Sequence, residues 1–116
     1  MLINDEEVGA SLLMLSESDK TVAGFKAAMK AKEYQRQTMK SLAYLEAEQD
    51  AIKSGERWSV AKKEAVAMQS EKYQKWCKDF EESVVDYEIL NNERNTAILK
   101  VEIWRSEQAN RRRGNV

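Results

Sequence analysis

Apolar residues recur along most of the chain at alternating intervals of three and four, which is the spacing of one face of an α-helix. Near the N-terminus this face consists of Val8, Leu12 and Leu15. The polar cluster at residues 16–19 that follows is rich in Ser and Asp, which favour helix ends, so it predicts a stop and a restart. We therefore predict a short first helix over about residues 5–16.

A second periodic stretch, over about residues 19–54, contains no helix breaker except Gly24, which a helix tolerates at a cost of about 1 kcal/mol. Its predicted apolar stripe, with one Gln in it, consists of Val22, Phe25, Met29, Met39, Leu42, Leu45, Gln49 and Ile52. Gly55 then stands where a helix favours a left-handed residue, and Ser59 is a suitable N-cap for the next helix. These residues predict one turn between two long helices.

The third stretch, over about residues 60–113, has no breaker and is predicted as the longest helix. Its seam alternates intervals of four and three, the coiled-coil period, through Tyr73, Cys77, Phe80, Val84, Tyr87, Asn91, Arg94, Ile98, Val101 and Arg105. Asn91 and Arg94 are polar, and Leu90 shifts the seam by one residue. Either these polar positions fix the register of a coiled coil, or the helix faces solvent there.

Two long helices joined by a short turn predict an antiparallel hairpin. Folding about the turn pairs positions whose residue numbers sum to about 113, which places Met29 near Val84. The short first helix is then positioned to cover the end of the third helix around Val101. We predict one all-α domain over residues 1–116, a long antiparallel helical hairpin that resembles a coiled coil and carries a short N-terminal helix.

The composition is consistent with this fold. The 116 residues include no Pro and 4 Gly, so few positions interrupt a helix. Charged residues make up 34% of the chain, against roughly 25% in an average domain, as expected for helices that stay hydrated outside one apolar stripe. A single Cys excludes an internal disulfide. The chain shows no signal peptide and no apolar run of transmembrane length, so we expect a cytoplasmic protein without membrane contact.

Charge is balanced overall, with 19 basic and 20 acidic residues, but unevenly placed. We use the name basic ridge for Lys26, Lys30, Lys32, Arg36 and Lys40, and acidic block for Asp79, Glu81, Glu82, Asp86, Glu88 and Glu93. The hairpin lays the two alongside each other, so the ridge is either a solvated face balanced by the block or a surface for nucleic-acid phosphates. The arginine tail, Arg111, Arg112 and Arg113, suits either phosphates or the C-terminal end of a helix dipole.

No combination of residues predicts catalysis. The chain has no His, which removes the usual general base near neutral pH and the commonest metal ligand. There is no Gly-rich phosphate loop, and Cys77 lies on the predicted seam, where an inert buried thiol is the ordinary interpretation. Glu46, Glu48 and Asp50 stand at alternate positions, which do not share a helix face. We therefore expect a non-enzymatic protein without cofactor or metal.

The large aromatic side chains exceed what a two-helix seam can bury. They are Trp58, Trp76 and Trp104, together with Tyr34, Tyr44, Tyr73 and Tyr87. Small scaffolds with little core are commonly completed by oligomerisation. We predict a homo-oligomer in which Trp58, Trp76, Tyr87 and Trp104 contribute to a self-association surface.

Short segments of the second half carry a resemblance to known proteins. They are Ser54-Gly55, Ser59-Val60-Ala61, Tyr87-Glu88-Ile89-Leu90-Asn91, Ile103-Trp104-Arg105-Ser106 and Ala109-Asn110-Arg111-Arg112. Over the stretch from Ser54 to Arg112 that these segments span, which is about half of the chain, it resembles small helical proteins encoded by tailed bacteriophages among replication and recombination genes, mostly without assigned activity. The resemblance implies a phage or prophage protein in the host cytoplasm, and it supplies no catalytic residues.

The leading functional hypothesis is a non-enzymatic interaction or scaffold protein. It self-associates and serves as an accessory factor, with a protein partner in phage DNA replication or recombination. One alternative is a nucleic-acid-binding module that uses the basic ridge or the arginine tail. A further alternative is an inhibitor of a host or defence protein, which the composition neither favours nor excludes.

Overall fold

The structure is a computed structural model that describes residues 3–114. Within that range 91% of the residues are helical and no strand is present. Four helices follow one another along the described chain: α1 (Asp5–Tyr34), α2 (Arg36–Ser54), α3 (Val60–Met68) and α4 (Glu71–Gly114). The prediction of an all-α fold based on a long helical hairpin is confirmed, while the helices differ from the predicted ones at three places.

The first difference is that α1 continues through residues 16–19, where the sequence predicts a break. Ser18 is accommodated inside the helix because its hydroxyl donates to the Met14 carbonyl at 2.6 Å, the preceding turn of the same helix. The prediction of a separate short helix over about residues 5–16 is therefore wrong. Ser and Asp favour helix ends but do not by themselves end a helix, and here the backbone stays helical beyond residues 16–19.

The second difference is a one-residue interruption at Gln35, inside the predicted helix over about residues 19–54. Gln35 keeps helical angles, with φ −77° and ψ −10°. Its N–H is shared between the carbonyls of Ala31 at 3.2 Å and Lys32 at 3.1 Å, and its own carbonyl accepts from the Met39 N–H at 2.9 Å. A shared N–H of this kind is a local tightening of the helix and not a turn.

The turn after α2 agrees with its prediction. Gly55 is left-handed, with φ 70°, and its N–H donates to the Ile52 carbonyl at 3.2 Å. Ser59 caps α3 because its hydroxyl accepts from the Lys62 N–H at 3.1 Å. The predicted roles of Gly55 and Ser59 are confirmed.

The third difference is a break between α3 and α4, which the predicted helix over about residues 60–113 lacks. The Ser70 hydroxyl accepts from the Tyr73 N–H at 3.3 Å and so caps α4. The Gln74 side chain donates to the Met68 carbonyl at 2.6 Å, at the end of α3. Neither Gly nor Pro stands at this break, so Ser70 is the one residue in the sequence that indicates it.

The chain divides into two compact units, whereas the sequence predicts one domain over residues 1–116. Unit 1 consists of the described parts of Met1–Phe25 and Asp86–Val116, and unit 2 of Lys26–Val85. Since α1 and α4 each contribute to both units, the division does not fall at a linker.

The core of unit 2 lies where α2, α3 and the start of α4 meet. Its buried members are Ala43, Ala47, Ala67, Tyr73 and Trp76. The ring of Trp76 stacks on Tyr73, with centroids 5.8 Å apart, and on Phe80, with centroids 5.5 Å apart. Burial raises the pKa of the Tyr73 hydroxyl, and the neighbouring Cys77 thiol raises it further. Small alanines let the helices approach closely, and the aromatic stack fills the remaining space.

The packed side of α4 follows a regular heptad that differs from the predicted seam at every second position. It runs through Tyr73, Trp76, Phe80, Ser83, Tyr87, Leu90, Arg94, Ala97, Val101 and Trp104, all buried or half-buried. At each position where it departs from the prediction, it uses the residue just before the predicted one. At two of these positions hydrophobicity favoured the wrong neighbour, because Val84 and Ile98 are larger and more apolar than the buried Ser83 and Ala97.

The packed side of α1 has the matching heptad spacing. It runs through Val8, Ser11, Leu15, Ser18, Val22, Phe25, Met29 and Lys32. Leu12, predicted to belong to this face, is 49% exposed. In unit 1 the Trp104 indole N–H donates to Asp5 Oδ1 at 2.9 Å, and in unit 2 Lys32 Nζ donates to Ser83 Oγ at 2.8 Å. Both contacts agree with the predicted antiparallel register.

Candidate interaction surfaces

The helix α2 has two apolar faces of different character. The inward face consists of Ala43, Ala47 and Ala51, which are 5%, 0% and 4% exposed. On the opposite face, Leu42, Leu45 and Ile52 are 51%, 54% and 79% exposed. The prediction that these three larger residues form the packed stripe of α2 is wrong, because the core takes the alanines that allow close helix approach.

We use the name outward stripe for Thr38, Leu42, Leu45, Gln49 and Ile52, all of which are exposed. Their intervals of four, three, four and three are those of a coiled-coil seam. Within unit 2 no helix covers this face. A row with coiled-coil spacing but no partner is a candidate docking surface for another helix.

A groove between α2 and α3 adjoins the outward stripe. It has a volume of about 530 Å³. Its apolar walls include Tyr44, Leu45 and Met68, while Lys40 and Glu64 lie on it as polar groups. Because Leu45 belongs to both the groove and the stripe, a helix docked on the stripe also has access to a recess for one of its side chains.

The basic ridge does not form one surface. Lys26 and Lys30 are exposed on α1. Lys32 instead lies half-buried on the packed face, where its Nζ donates to the Asp79 carbonyl at 3.2 Å and to Ser83 Oγ at 2.8 Å. A lysine used to satisfy a seam contact is not available to a phosphate backbone.

The other two ridge residues are also engaged with the core of unit 2. The guanidinium of Arg36 lies 5.2 Å from the ring centroid of Phe80 and 5.9 Å from that of Trp76, within the range of cation–π attraction. Lys40 is half-buried beside the groove. Among the described residues no ion pair joins the ridge to the acidic block, and Lys32 meets Asp79 only through its backbone.

The arginine tail, Arg111, Arg112 and Arg113, lies in the last turn of α4 and is exposed. Cations at this end of a helix interact favourably with the helix dipole. The position of the tail therefore fits both of its predicted interpretations, and nothing in its geometry selects the nucleic-acid one.

The four aromatic residues predicted for self-association all pack against the chain's own residues. Trp76 is 8% exposed in the core of unit 2. Trp104 hydrogen-bonds to Asp5, Tyr87 is half-buried on α4, and half-buried Trp58 has Lys62 Nζ 4.6 Å from its ring centroid. Self-association through these residues stays a prediction. Apart from Tyr34, which is 81% exposed, the large apolar side chains that the structure exposes are not aromatic.

Unit 1 also exposes aliphatic residues, in a less regular arrangement. Leu12 and Leu13 are 49% and 58% exposed on α1, and Ile89 and Leu99 are 55% and 54% exposed on α4. Polar residues at 92 and 96 separate the last two along their helix face. This surface is therefore a weaker candidate than the outward stripe.

Further features of the described residues bear on function. Between residues 3 and 114, no cluster of three or more His, Cys, Asp or Glu is arranged to hold a metal ion. No helix in that range combines the length and the apolar character needed to cross a membrane. Comparisons with protein-family models, with curated proteins and with solved structures found no match.

Proposed function

We propose that the chain is a non-enzymatic interaction protein that binds another helix through the outward stripe on α2. The observation that carries the proposal is the exposure of Leu42, Leu45 and Ile52, at 51%, 54% and 79%, at coiled-coil spacing. Single exposed aliphatic residues are ordinary on protein surfaces, whereas a regular row on one helix is typical of helix docking.

The size of the stripe supports a reversible contact. Fully burying a Leu or Ile side chain contributes about 1.5 to 3 kcal/mol, and these side chains are already partly covered, so each gains about 1 kcal/mol on docking. Ordering the two partners opposes this gain. An interaction protein that exchanges partners, or assembles as its concentration rises, fits this balance better than a permanent complex.

The resemblance of the second half to phage proteins supports a more specific role. On that basis the chain acts in the host cytoplasm as an accessory factor in phage DNA replication or recombination. The same stripe would also serve an inhibitor that docks on a host or defence protein, a role that no separate feature favours.

A nucleic-acid-binding function has narrower support. Lys26 and Lys30 are exposed four residues apart on α1, and the arginine tail is exposed at the end of α4. Lys32 and Arg36, however, are held by contacts within unit 2. If all five ridge residues neutralised phosphates, DNA affinity would depend strongly on salt concentration. The two exposed lysines of the ridge would give only a weak dependence.

The test compares the stripe with an equally exposed aliphatic site elsewhere. We expect Leu42→Glu/Leu45→Glu to abolish association, whether with itself or with a protein captured from host lysate, while the helical content measured by circular dichroism stays unchanged. The matched control is Leu99→Glu, because Leu99 is 54% exposed on α4, and it should retain association. Unchanged association in the stripe variant, or no association by the wild type, would overturn the proposal.

A further inference from the structure

We infer that the helix docked on the outward stripe is α2 of a second copy of this chain, paired in parallel and in register. The inference rests on the proposed function and names the partner of that surface. It does not involve the aromatic residues, which the chain packs against itself. Its support comes from the side chains within and beside the stripe.

The stripe provides the layers of a two-stranded seam. Leu42 and Gln49 occupy the first position of successive heptads, and Thr38, Leu45 and Ile52 occupy the fourth. In a parallel pair in register, each of these residues meets its own counterpart. Leu and Ile layers then pack like with like, and the two Gln49 amides lie opposite each other, where each has both a donor and an acceptor to offer.

The charges beside the stripe favour the parallel arrangement. Glu48 precedes one seam position and Lys53 follows the next. In parallel coiled coils, a residue at the former position faces the residue five places later on the other helix. Glu48 of each copy therefore faces Lys53 of the other, which gives two opposite-charge pairs across one seam.

Antiparallel pairing gains no such pairs. When Leu42 of one copy lies opposite Leu45 of the other, Gln49 lies opposite Thr38 and the flanking pairs each contain an uncharged residue. When Leu42 lies opposite Ile52, the two copies of Glu46 face each other, and since each already pairs with Lys72 Nζ of its own chain at 3.1 Å, this register adds no attractive pair across the seam. Charge complementarity thus selects the parallel register from the arrangements that bury the same leucines.

The strength of the pairing is limited by the length of the stripe. Five layers form a small seam compared with a standard interface of about 1,600 Å². We therefore expect a dissociation constant in the micromolar range, so the chain would be a monomer when dilute and a dimer when concentrated.

A charge-reversal series tests the register by sedimentation equilibrium over about 1 to 100 µM protein. Glu48→Lys and Lys53→Glu should each raise the dissociation constant by about tenfold, since each replaces two attractive pairs by two repulsive ones. The double variant Glu48→Lys/Lys53→Glu recreates both pairs with the signs exchanged and should restore wild-type dimerisation. A wild-type monomer, or single variants that dimerise like the wild type, would overturn the inference.

Cysteine cross-linking tests the orientation independently. In a Cys77→Ser background, Gln49→Cys should form a disulfide-linked homodimer under mild oxidation, because the parallel seam brings position 49 of both copies together. A mixture of Thr38→Cys and Gln49→Cys chains should form the 38–38 and 49–49 species and no 38–49 species. A dominant 38–49 species would show antiparallel pairing and would overturn the inference.

The two proposals fail in different ways. A wild type that stays monomeric but captures another protein, with capture lost in Leu42→Glu/Leu45→Glu, would overturn the second-copy inference and leave the proposed function standing. Absence of every association would overturn both. Dimerisation of the Leu99→Glu control at wild-type strength is the result expected if the stripe is the interface.

Discussion

Arg94 shows how one charged residue can belong to a helical seam. Its guanidinium donates to the Leu15 carbonyl at 2.8 Å and to Ser18 Oγ at 2.7 Å, and it pairs with Asp19 Oδ1 at 2.7 Å. The side chain is only 17% exposed. For Arg94, the structure thus decides between the two predicted interpretations, because it faces α1 and not solvent. Sliding α1 by one turn would remove all three acceptors together.

The first prediction follows from these three contacts. Arg94→Ala should lower the free energy of unfolding by about 2 kcal/mol, because hydrogen bonds from a charged group and their packing are lost together. Arg94→Lys should recover only part of this, because an ammonium lacks the planar fork that reaches several acceptors at once. Urea denaturation measures both variants.

The adjacent exposed residue provides the control for Arg94. Asn95→Ala should change the free energy of unfolding by less than about 0.5 kcal/mol, as is usual for surface substitutions. If Arg94→Ala were no more destabilising than Asn95→Ala, the contacts of the guanidinium would not contribute to the stability of unit 1.

At the scale of the helices, the sequence clearly indicated the turn between α2 and α3 but not the break between α3 and α4. The α2–α3 turn combines a left-handed Gly55 with the N-cap Ser59, two residues with distinct backbone requirements. The α3–α4 break has only Ser70, and serine is also found inside helices, as Ser18 is here. A helix end is legible in a sequence when its residues disfavour continuation, and Ser alone disfavours it weakly.

Replacing glycine by alanine should have opposite effects on stability at Gly24 and at Gly55. A Cβ added at Gly24 or at Gly55 would meet no heavy atom within 4 Å, so the outcome depends on backbone conformation alone. Gly24→Ala lies inside α1 and should raise the free energy of unfolding by about 1 kcal/mol. Gly55→Ala forces an L-residue to φ 70° and should lower it by about 1 to 2 kcal/mol.

Thermal denaturation of the two glycine variants beside the wild type checks these signs. Gly24→Ala should melt at a higher temperature and Gly55→Ala at a lower one. A higher melting temperature for Gly55→Ala would mean that the left-handed conformation at Gly55 is not maintained in solution, and a lower one for Gly24→Ala would contradict its place inside a regular helix.

At the scale of the whole molecule, basic residues that look alike in the sequence have different roles in the structure. Lys26 and Lys30 are exposed, Lys32 serves the seam, and Arg36 stacks over aromatic rings. A row of basic residues with helical spacing therefore becomes two exposed lysines and several packing contacts. The exposed aliphatic stripe on α2 is the more continuous surface feature.

This division of the ridge leads to a prediction about nucleic acid. At physiological salt the protein should retain single- or double-stranded DNA weakly or not at all, and Lys26→Glu/Lys30→Glu should not change this. Truncation after Asn110, which removes the arginine tail, should have no effect either. Filter retention at several salt concentrations provides the measurement, since phosphate contacts weaken steeply with salt.

The contrary result for DNA is well defined. Sub-micromolar, salt-sensitive retention that disappears in the double-lysine variant or in the truncated chain, with helical content preserved, would make nucleic-acid binding the leading function. The outward stripe would then need a separate explanation.

The sequence by itself determined the helical class, the turn at Gly55 and Ser59, and the antiparallel register. Each of these depends on local chemistry that composition exposes directly. Without Pro and with few Gly, the chain has little that interrupts a helix, and a left-handed glycine followed by a serine cap reverses it. Once the position of the turn is known, the pairing of the flanking helices follows from counting residues.

On α2, the tertiary structure alone decided which apolar residues are inside. Hydrophobicity ranks Leu42, Leu45 and Ile52 above Ala43, Ala47 and Ala51, yet the alanines are buried and the larger residues exposed. Close packing is most favourable for side chains whose size matches the distance between the helix axes. That distance depends on packing partners far away in the sequence. The sequence did not reveal the candidate interaction surface for the same reason. An apolar stripe has the same heptad spacing whether it packs into the chain's own core or binds a partner.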